Sequence, residues 1–124
     1  MIEKTPNMES FMLSIQVASW SGERQLDWII HTGCAEDEIV LQLADFYIAV
    51  KRRVTYDEEE EFPDFLDEGI QEILDLFTGL IDVDPELWSP ESMVSARQWE
   101  VVRERARRLL VEIGGSSWSS FLDG

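Results

Sequence analysis

The sequence predicts a mainly α-helical fold, a compact bundle of about four to five helices. Apolar residues recur at helical spacing in several stretches of the chain. Pro6, Pro63 and Pro90 lie where such stretches begin, and Pro favours the first turn of a helix. Hydrophobic residues make up 44% of the 124 residues, which is enough to fill one core. We therefore expect residues 1–124 to form a single domain.

The first helix is expected to begin at Pro6, with Thr5 as its N-cap. Apolar residues then follow at helical intervals: Met8, Phe11, Met12, Ile15 and Ala18. Gly22 is the predicted end of this helix, because Gly is common just beyond a helix C-terminus. A short second helix is predicted to stop near Gly33.

The N-terminal third also has a strand interpretation. Phe11, Leu13, Ile15 and Val17 alternate with Met12, Ser14, Gln16 and Ala18, and residues 21–33 could supply the second strand of a hairpin. The alternative fold is therefore α+β, with an N-terminal β-hairpin packed on three helices.

The middle of the chain predicts two longer helices. Acidic residues at 36–38 suit the first turn of the third helix, and basic residues at 51–53 suit its last turn. Its apolar stripe comprises Ile39, Leu43, Phe46, Tyr47 and Val50. The fourth helix is expected to start at Pro63 and to bury one broad face: Phe65, Leu66, Ile70, Ile73, Leu74, Phe77, Leu80 and Ile81.

A turn around Asp84-Pro85 separates these helices from a last predicted helix. That helix is expected to start at Pro90, with Ser89 as its N-cap, and to run to Ile113. We expect residues 114–124 to form a C-terminal tail that can be flexible. Trp118 and Phe121 in this tail could pack on the core or on a partner, and the sequence favours neither.

Charge is concentrated in the middle third of the chain. The net charge is −16, and residues 54–91 contribute fourteen acids and no bases. The stretch DEEEEFPDFLDE at residues 57–68, hereafter the acidic segment, holds eight of these acids. Because no Lys or Arg occurs between Val54 and Ala96, we expect no local base to neutralise it. Direct contact with nucleic acid or with an anionic membrane is disfavoured, since both require clustered cations.

The acidic segment is the predicted binding site for a protein with a basic surface. The expected contact residues are Tyr56, Asp57, Glu58, Glu59, Glu60, Glu61, Phe62, Asp64, Phe65, Asp67 and Glu68. The carboxylates would pair with Lys or Arg of the partner, and the three aromatic residues would be the apolar anchors. This profile is shared by small acidic immunity proteins, antitoxins and nucleic-acid mimics. We therefore expect a binding or inhibitory protein whose partner could be a nuclease or a nucleic-acid-binding protein.

Enzymatic function is the alternative hypothesis. Glu68, Glu72 and Asp75 share one helical face, and paired carboxylates can hold Mg²⁺. The Glu72-x-x-Asp75 spacing and the following LFTGLIDVDPE resemble all-helical nucleotide pyrophosphohydrolases of the MazG kind, which implies metal-dependent nucleotide hydrolysis. The preceding helix lacks that family's Glu-x-x-Glu pair. Our main prediction accordingly has no catalytic residue, metal or cofactor.

A scaffold or assembly subunit is the third hypothesis, and the sequence leaves the oligomeric state open.

His31 and Cys34 do not form a recognisable site. A structural zinc ion normally takes four ligands, and the chain has one His and one Cys. A single Cys also excludes an internal disulfide.

The first ten residues lack the basic and apolar blocks of a signal peptide, so we expect a cytoplasmic protein.

Overall fold

A computed structural model describes residues 2–122, apart from the side chain of Ile81. The described residues form six α-helices: α1 (Pro6–Ser19), α2 (Gly22–Thr32), α3 (Glu38–Arg52), α4 (Asp64–Val83), α5 (Pro90–Ser95) and α6 (Arg97–Gly114). These residues contain no strand. The mainly α-helical prediction is confirmed, and the β-hairpin alternative is wrong because α1 and α2 occupy the proposed strands.

Four of the helices form a bundle around the core. α1 packs on α3 and α6, and α4 packs on α6 and on α3, while α2 packs against α5. The centre is made of aliphatic and aromatic side chains that are fully buried: Phe11, Ile15, Leu43, Leu66, Ile70, Ile73, Ala106 and Leu109. The described side chains of the predicted apolar faces of α3 and α4 therefore point into the bundle, as amphipathic helices of this kind do, whereas Ile81, also predicted on the α4 face, has a side chain outside the described part.

Capping residues set several helix boundaries. The Thr5 hydroxyl accepts a hydrogen bond from the Met8 N–H at 3.2 Å, as predicted for an N-cap. Gly33 ends α2 with φ of 71°, a left-handed conformation that glycine adopts at little cost. The prediction that Gly22 ends the first helix is wrong, because Gly22 begins α2. A Cβ there would lie 2.7 Å from the Val94 Cα, so only glycine permits this approach of α2 to α5.

The last predicted helix is divided in two. Ala96 has an extended backbone with ψ of 134°, which separates α5 from α6 and corrects the prediction of one continuous helix. The break lets Met93 and Trp99 both reach the core, and both are fully buried. It also leaves the Met93 carbonyl free to accept a hydrogen bond from outside α5.

That hydrogen bond comes from the buried guanidinium of Arg103 on α6. The Arg103 side chain is 2% exposed and donates to the Met93 carbonyl, to the Gln25 side-chain oxygen at 3.0 Å and to Glu100 at 2.9 Å. The Gln25 amide in turn donates to the Val17 and Ala18 carbonyls at 2.9 and 3.2 Å. This Arg103–Gln25 network joins the carboxyl ends of α1 and α5 to α2 and α6.

Replacing Arg103 is expected to destabilise the fold strongly. Arg103→Met should lower the free energy of unfolding by about 3 kcal/mol or more, because it leaves buried hydrogen-bonding groups without partners. Urea unfolding checks this, with Arg108→Met as the control. Arg108 is exposed, and its loss should change the free energy by about 0.5 kcal/mol or less. A similar small effect at both positions would contradict the structural role of the network.

Candidate functional site: the acidic segment and the groove beside it

The acidic segment folds back over the carboxyl end of α3. A π-helical turn, Arg53–Asp57, extends α3, and the N–H groups of Glu58 and Glu60 then donate to the carbonyls of Arg53 and Val54 at 3.0 and 2.8 Å. Glu59 has a positive φ of 52° at this reversal. The chain therefore leaves α3 in a tight turn and enters α4 directly after Pro63, as predicted.

Phe62 is buried, although we predicted it to be an anchor for a partner. Its side chain is 8% exposed and lies between the rings of Tyr47 and Trp118, with centroids 5.9 and 5.5 Å away. The aromatic contacts continue to Phe11 on one side and to Phe121 on the other. Phe62 thus holds the acidic segment to the core and cannot contact a partner in this conformation.

The contact between Phe62 and Trp118 also holds part of the C-terminal tail against the core. Trp118 is buried against Phe62, so this part of the tail packs on the core of the protein itself. Phe121 is half-buried beside it. Flexibility of residues 114–124 stays a prediction, and Asp123 and Gly124 lie outside the described residues.

Asp67 connects the acidic segment to α3. Its carboxylate accepts hydrogen bonds from the Lys51 ammonium at 2.7 Å, from the Tyr47 hydroxyl and from the Gln71 amide at 3.1 Å. The hydrogen bond from Lys51, followed by that from Tyr47, holds the pKa of Asp67 below its ordinary value of 3.8. The same contact with Asp67 raises the pKa of Lys51. Asp67 is therefore a structural ion-pair partner inside the predicted binding site.

Glu58 is also turned inward. Its carboxylate accepts a hydrogen bond from the Glu3 N–H at 3.0 Å and lies 3.6 Å from the Arg53 guanidinium, which also pairs with the Glu3 carboxylate at 3.1 Å. The expectation that no local base neutralises the segment is therefore wrong. Lys51 and Arg53 precede the base-free stretch in sequence, but the turn brings them against it.

Six carboxylates of the segment remain exposed to solvent. They are Asp57, Glu59, Glu60, Glu61, Asp64 and Glu68. Tyr56, immediately before them, is 75% exposed, and Phe65 is half-buried. Two of the three predicted aromatic anchors thus retain accessible surface beside the acids.

The negative surface continues along α4. Asp64, Glu68, Asp75 and Asp82 are all exposed, and their spacings of four, seven and seven residues place them on one helical face. We call this set the acidic stripe. At 1.5 Å per residue it is about 27 Å long. The exposed acids therefore form an elongated surface that extends well beyond the acidic segment.

Glu72, beside the stripe, is paired with α6. Its carboxylate accepts a hydrogen bond from the Arg105 guanidinium and lies 3.6 Å from that of Arg108. The hydrogen bond from Arg105 lowers the pKa of Glu72 below its ordinary value. Arg105 and Arg108 of α6 thus pair with the acidic helix α4. Within residues 2–122, no group of three His, Cys, Asp or Glu side chains is placed to hold a metal ion.

A groove between α4 and α6 adjoins the acidic stripe. Its volume is about 490 Å³, and it is lined by Glu72, Asp75, Leu76, Gly79, Leu80, Val83, Gln98 and Val101. Val83 is 69% exposed and Val101 37% exposed. The sequence reasoning missed this feature. The available signals were Gly79, which leaves a gap on α4, and Val101, which lies outside the buried face of α6 formed by Trp99, Val102, Ala106, Leu109 and Ile113.

His31 and Cys34 take part in local contacts. His31 lies in the last turn of α2, and its ring nitrogen Nδ1 is 2.7 Å from the Asp27 carbonyl of the preceding turn. Cys34 is half-buried, with its thiol 3.9 Å from the Thr32 carbonyl. These contacts give neither residue a catalytic arrangement.

Comparisons with protein-family models, curated proteins and solved structures find no match to this chain. In the described part of the chain, every helix is too short or too polar to cross a membrane.

The contribution of Asp67 to stability is expected to depend on pH. Because its folded pKa is depressed, the ion pair stabilises the fold above pH 3.8, and the effect is lost as pH falls through the lower folded value. Asp67→Asn should lower the free energy of unfolding by about 1 kcal/mol near neutral pH, and this difference from the wild type should shrink below about pH 4. Urea unfolding at a series of pH values measures the difference, with exposed Asp64→Asn as the control. A difference independent of pH would contradict the ion-pair assignment.

Glu59→Gly is expected to stabilise the protein. Among the described residues, Glu59 is the one non-glycine with positive φ, and glycine removes that strain together with one repelling charge. We expect a gain of about 1 kcal/mol in the free energy of unfolding. Glu61→Gly removes the same charge without a positive φ to relieve, so it should give no such gain. Thermal and urea unfolding of the two variants would test this, and equal effects would refute it.

Proposed function

We propose that this protein binds a basic surface of another protein and blocks it, as small acidic immunity proteins, antitoxins and nucleic-acid mimics do. The observation that carries the proposal is the set of six exposed carboxylates in the acidic segment, continued by the acidic stripe along α4. Such a surface attracts Lys and Arg side chains over a wide area.

The charge arrangement supports docking over a role in solubility alone. Two like charges about 6 Å apart repel by roughly 0.7 kcal/mol even in water. A partner that supplies cations removes this repulsion, and long-range attraction speeds the encounter. Lys51 and Arg53 already relieve part of the repulsion by pairing with Asp67 and Glu58. The six exposed acids of the segment lie at the surface, where a partner can reach them.

The partner chemistry follows from the sign and shape of this surface. Proteins that contact nucleic acid present Lys and Arg to phosphates. An elongated row of carboxylates can pair with those same side chains and occlude them, so a nuclease or another nucleic-acid-binding protein fits the proposal. Tyr56 and Phe65 supply the apolar contacts, and Phe62 supports them from the core. The proposal includes the cytoplasmic location that the sequence predicts.

Neutralising the exposed acids is expected to abolish partner capture. The test variant carries Glu59→Gln, Glu61→Gln, Asp64→Asn and Glu68→Gln. The control variant removes four exposed acids that lie outside the acidic segment and the acidic stripe, through Glu9→Gln, Glu23→Gln, Asp45→Asn and Glu91→Gln. Affinity purification from the native host should yield a basic protein with the wild type and the control, and little with the test variant. Circular dichroism confirms that both variants fold.

Association kinetics with the purified partner complete this test. The association rate of the wild type should fall about tenfold or more between about 50 and 300 mM salt, because exposed charges are screened. The test variant should associate slowly at both salt concentrations. Equal capture by the two variants, or a captured partner without a basic surface, would refute the proposed function.

A further inference from the structure

The groove between α4 and α6 is open where the two helices diverge. At Gly69 the helices are in close contact, since a Cβ there would lie 2.6 Å from the Leu109 side chain. At Gly79, ten residues later, a Cβ would meet nothing within 4 Å. The space between the helices therefore widens toward the end of α4.

The walls of the groove are apolar, and one edge is acidic. Leu76, Leu80, Val83 and Val101 supply aliphatic surface. Asp75, on the edge, belongs to the acidic stripe that runs beside the groove along α4. Arg105 and Arg108 of α6 pair with Glu72, which also lines the groove. The groove thus combines an aliphatic lining with an acidic edge on the α4 side.

This combination defines the chemistry of its occupant. Aliphatic side chains fit the lining, and Lys or Arg fits the acidic edge. A small cation would use one or two carboxylates, whereas the stripe is about 27 Å long and parallels a helix axis. An amphipathic helix with aliphatic residues on one face and basic residues beside them matches both features, because it can place aliphatic side chains in the groove beside residues 72–83 and basic side chains along the longer acidic stripe.

We propose that the α4–α6 groove receives an amphipathic basic helix of the partner protein. This inference rests on the proposed function and adds the mode of recognition. The acidic stripe sets orientation and association rate, and the groove holds the aliphatic side chains and slows dissociation.

The experiment uses the full ¹⁵N-labelled chain and two synthetic peptides of about 18 residues. One peptide has Leu at helical intervals and Lys elsewhere, and the other has Gln in place of every Leu, so the two carry equal charge. The Leu/Lys peptide should shift the amide resonances of Gly79, Val83 and Val101. The Gln/Lys peptide should shift only residues of the acidic stripe and segment.

Two groove variants and a matched control measure the affinity. Gly79→Leu fills the groove at a position with open space, and Val101→Arg places a cation in its wall. Each should weaken binding of the Leu/Lys peptide about tenfold. Val111→Arg adds the same charge on α6 at a site that is 76% exposed and outside the groove, and should change affinity less than about twofold. Gly79→Leu should also raise helix stability, which confirms folding.

Absence of Leu/Lys binding, or shifts confined to other surfaces, overturns the inference. Self-association of the free chain that Val101→Arg abolishes in sedimentation would also overturn it, because a second copy would then occupy the groove. If binding of the captured partner requires the exposed acids but is unchanged by Gly79→Leu, the groove proposal fails and the proposed function stands. If neutralising the exposed acids leaves binding of the partner unchanged, the proposed function itself fails.

Discussion

The buried guanidinium of Arg103 holds together the part of the fold that hydrophobic patterning alone does not specify. It satisfies the Met93 carbonyl at the end of α5 and orients Gln25, which in turn caps the carboxyl end of α1. α2 and α5 are short helices, and short helices gain their stability from tertiary contacts. Their position on the bundle therefore depends on this network and on the close approach that Gly22 permits.

The acidic segment depends on the same bundle for its display. Phe62 fixes its middle to the core, and Lys51 and Arg53 hold Asp67 and Glu58 from the side of α3. The other carboxylates are left at the surface by a turn that tolerates a strained backbone at Glu59. The negative surface is thus a rigidly supported feature, since inward-facing members of the segment anchor the outward-facing ones.

Charge and shape make separate contributions to the proposed recognition. The acidic stripe gives a field of one sign along α4, which controls encounter and orientation. The groove gives a place for aliphatic side chains to be buried, which controls lifetime. Because the two features lie side by side on α4, a single amphipathic helix of the partner can use both.

The sequence by itself determined the helical class, the N-caps at Thr5 and Ser89 and the start of α4, because capping and periodicity are local properties. It also located the acidic run. Tertiary structure alone decided that Phe62 points inward, that Arg103 is buried and that the last helix breaks at Ala96. These depend on contacts between residues far apart in the chain, such as Arg103 with Gln25 and Phe62 with Trp118. Periodicity within one segment carries no information about such contacts, and for the same reason it could not reveal the groove between α4 and α6.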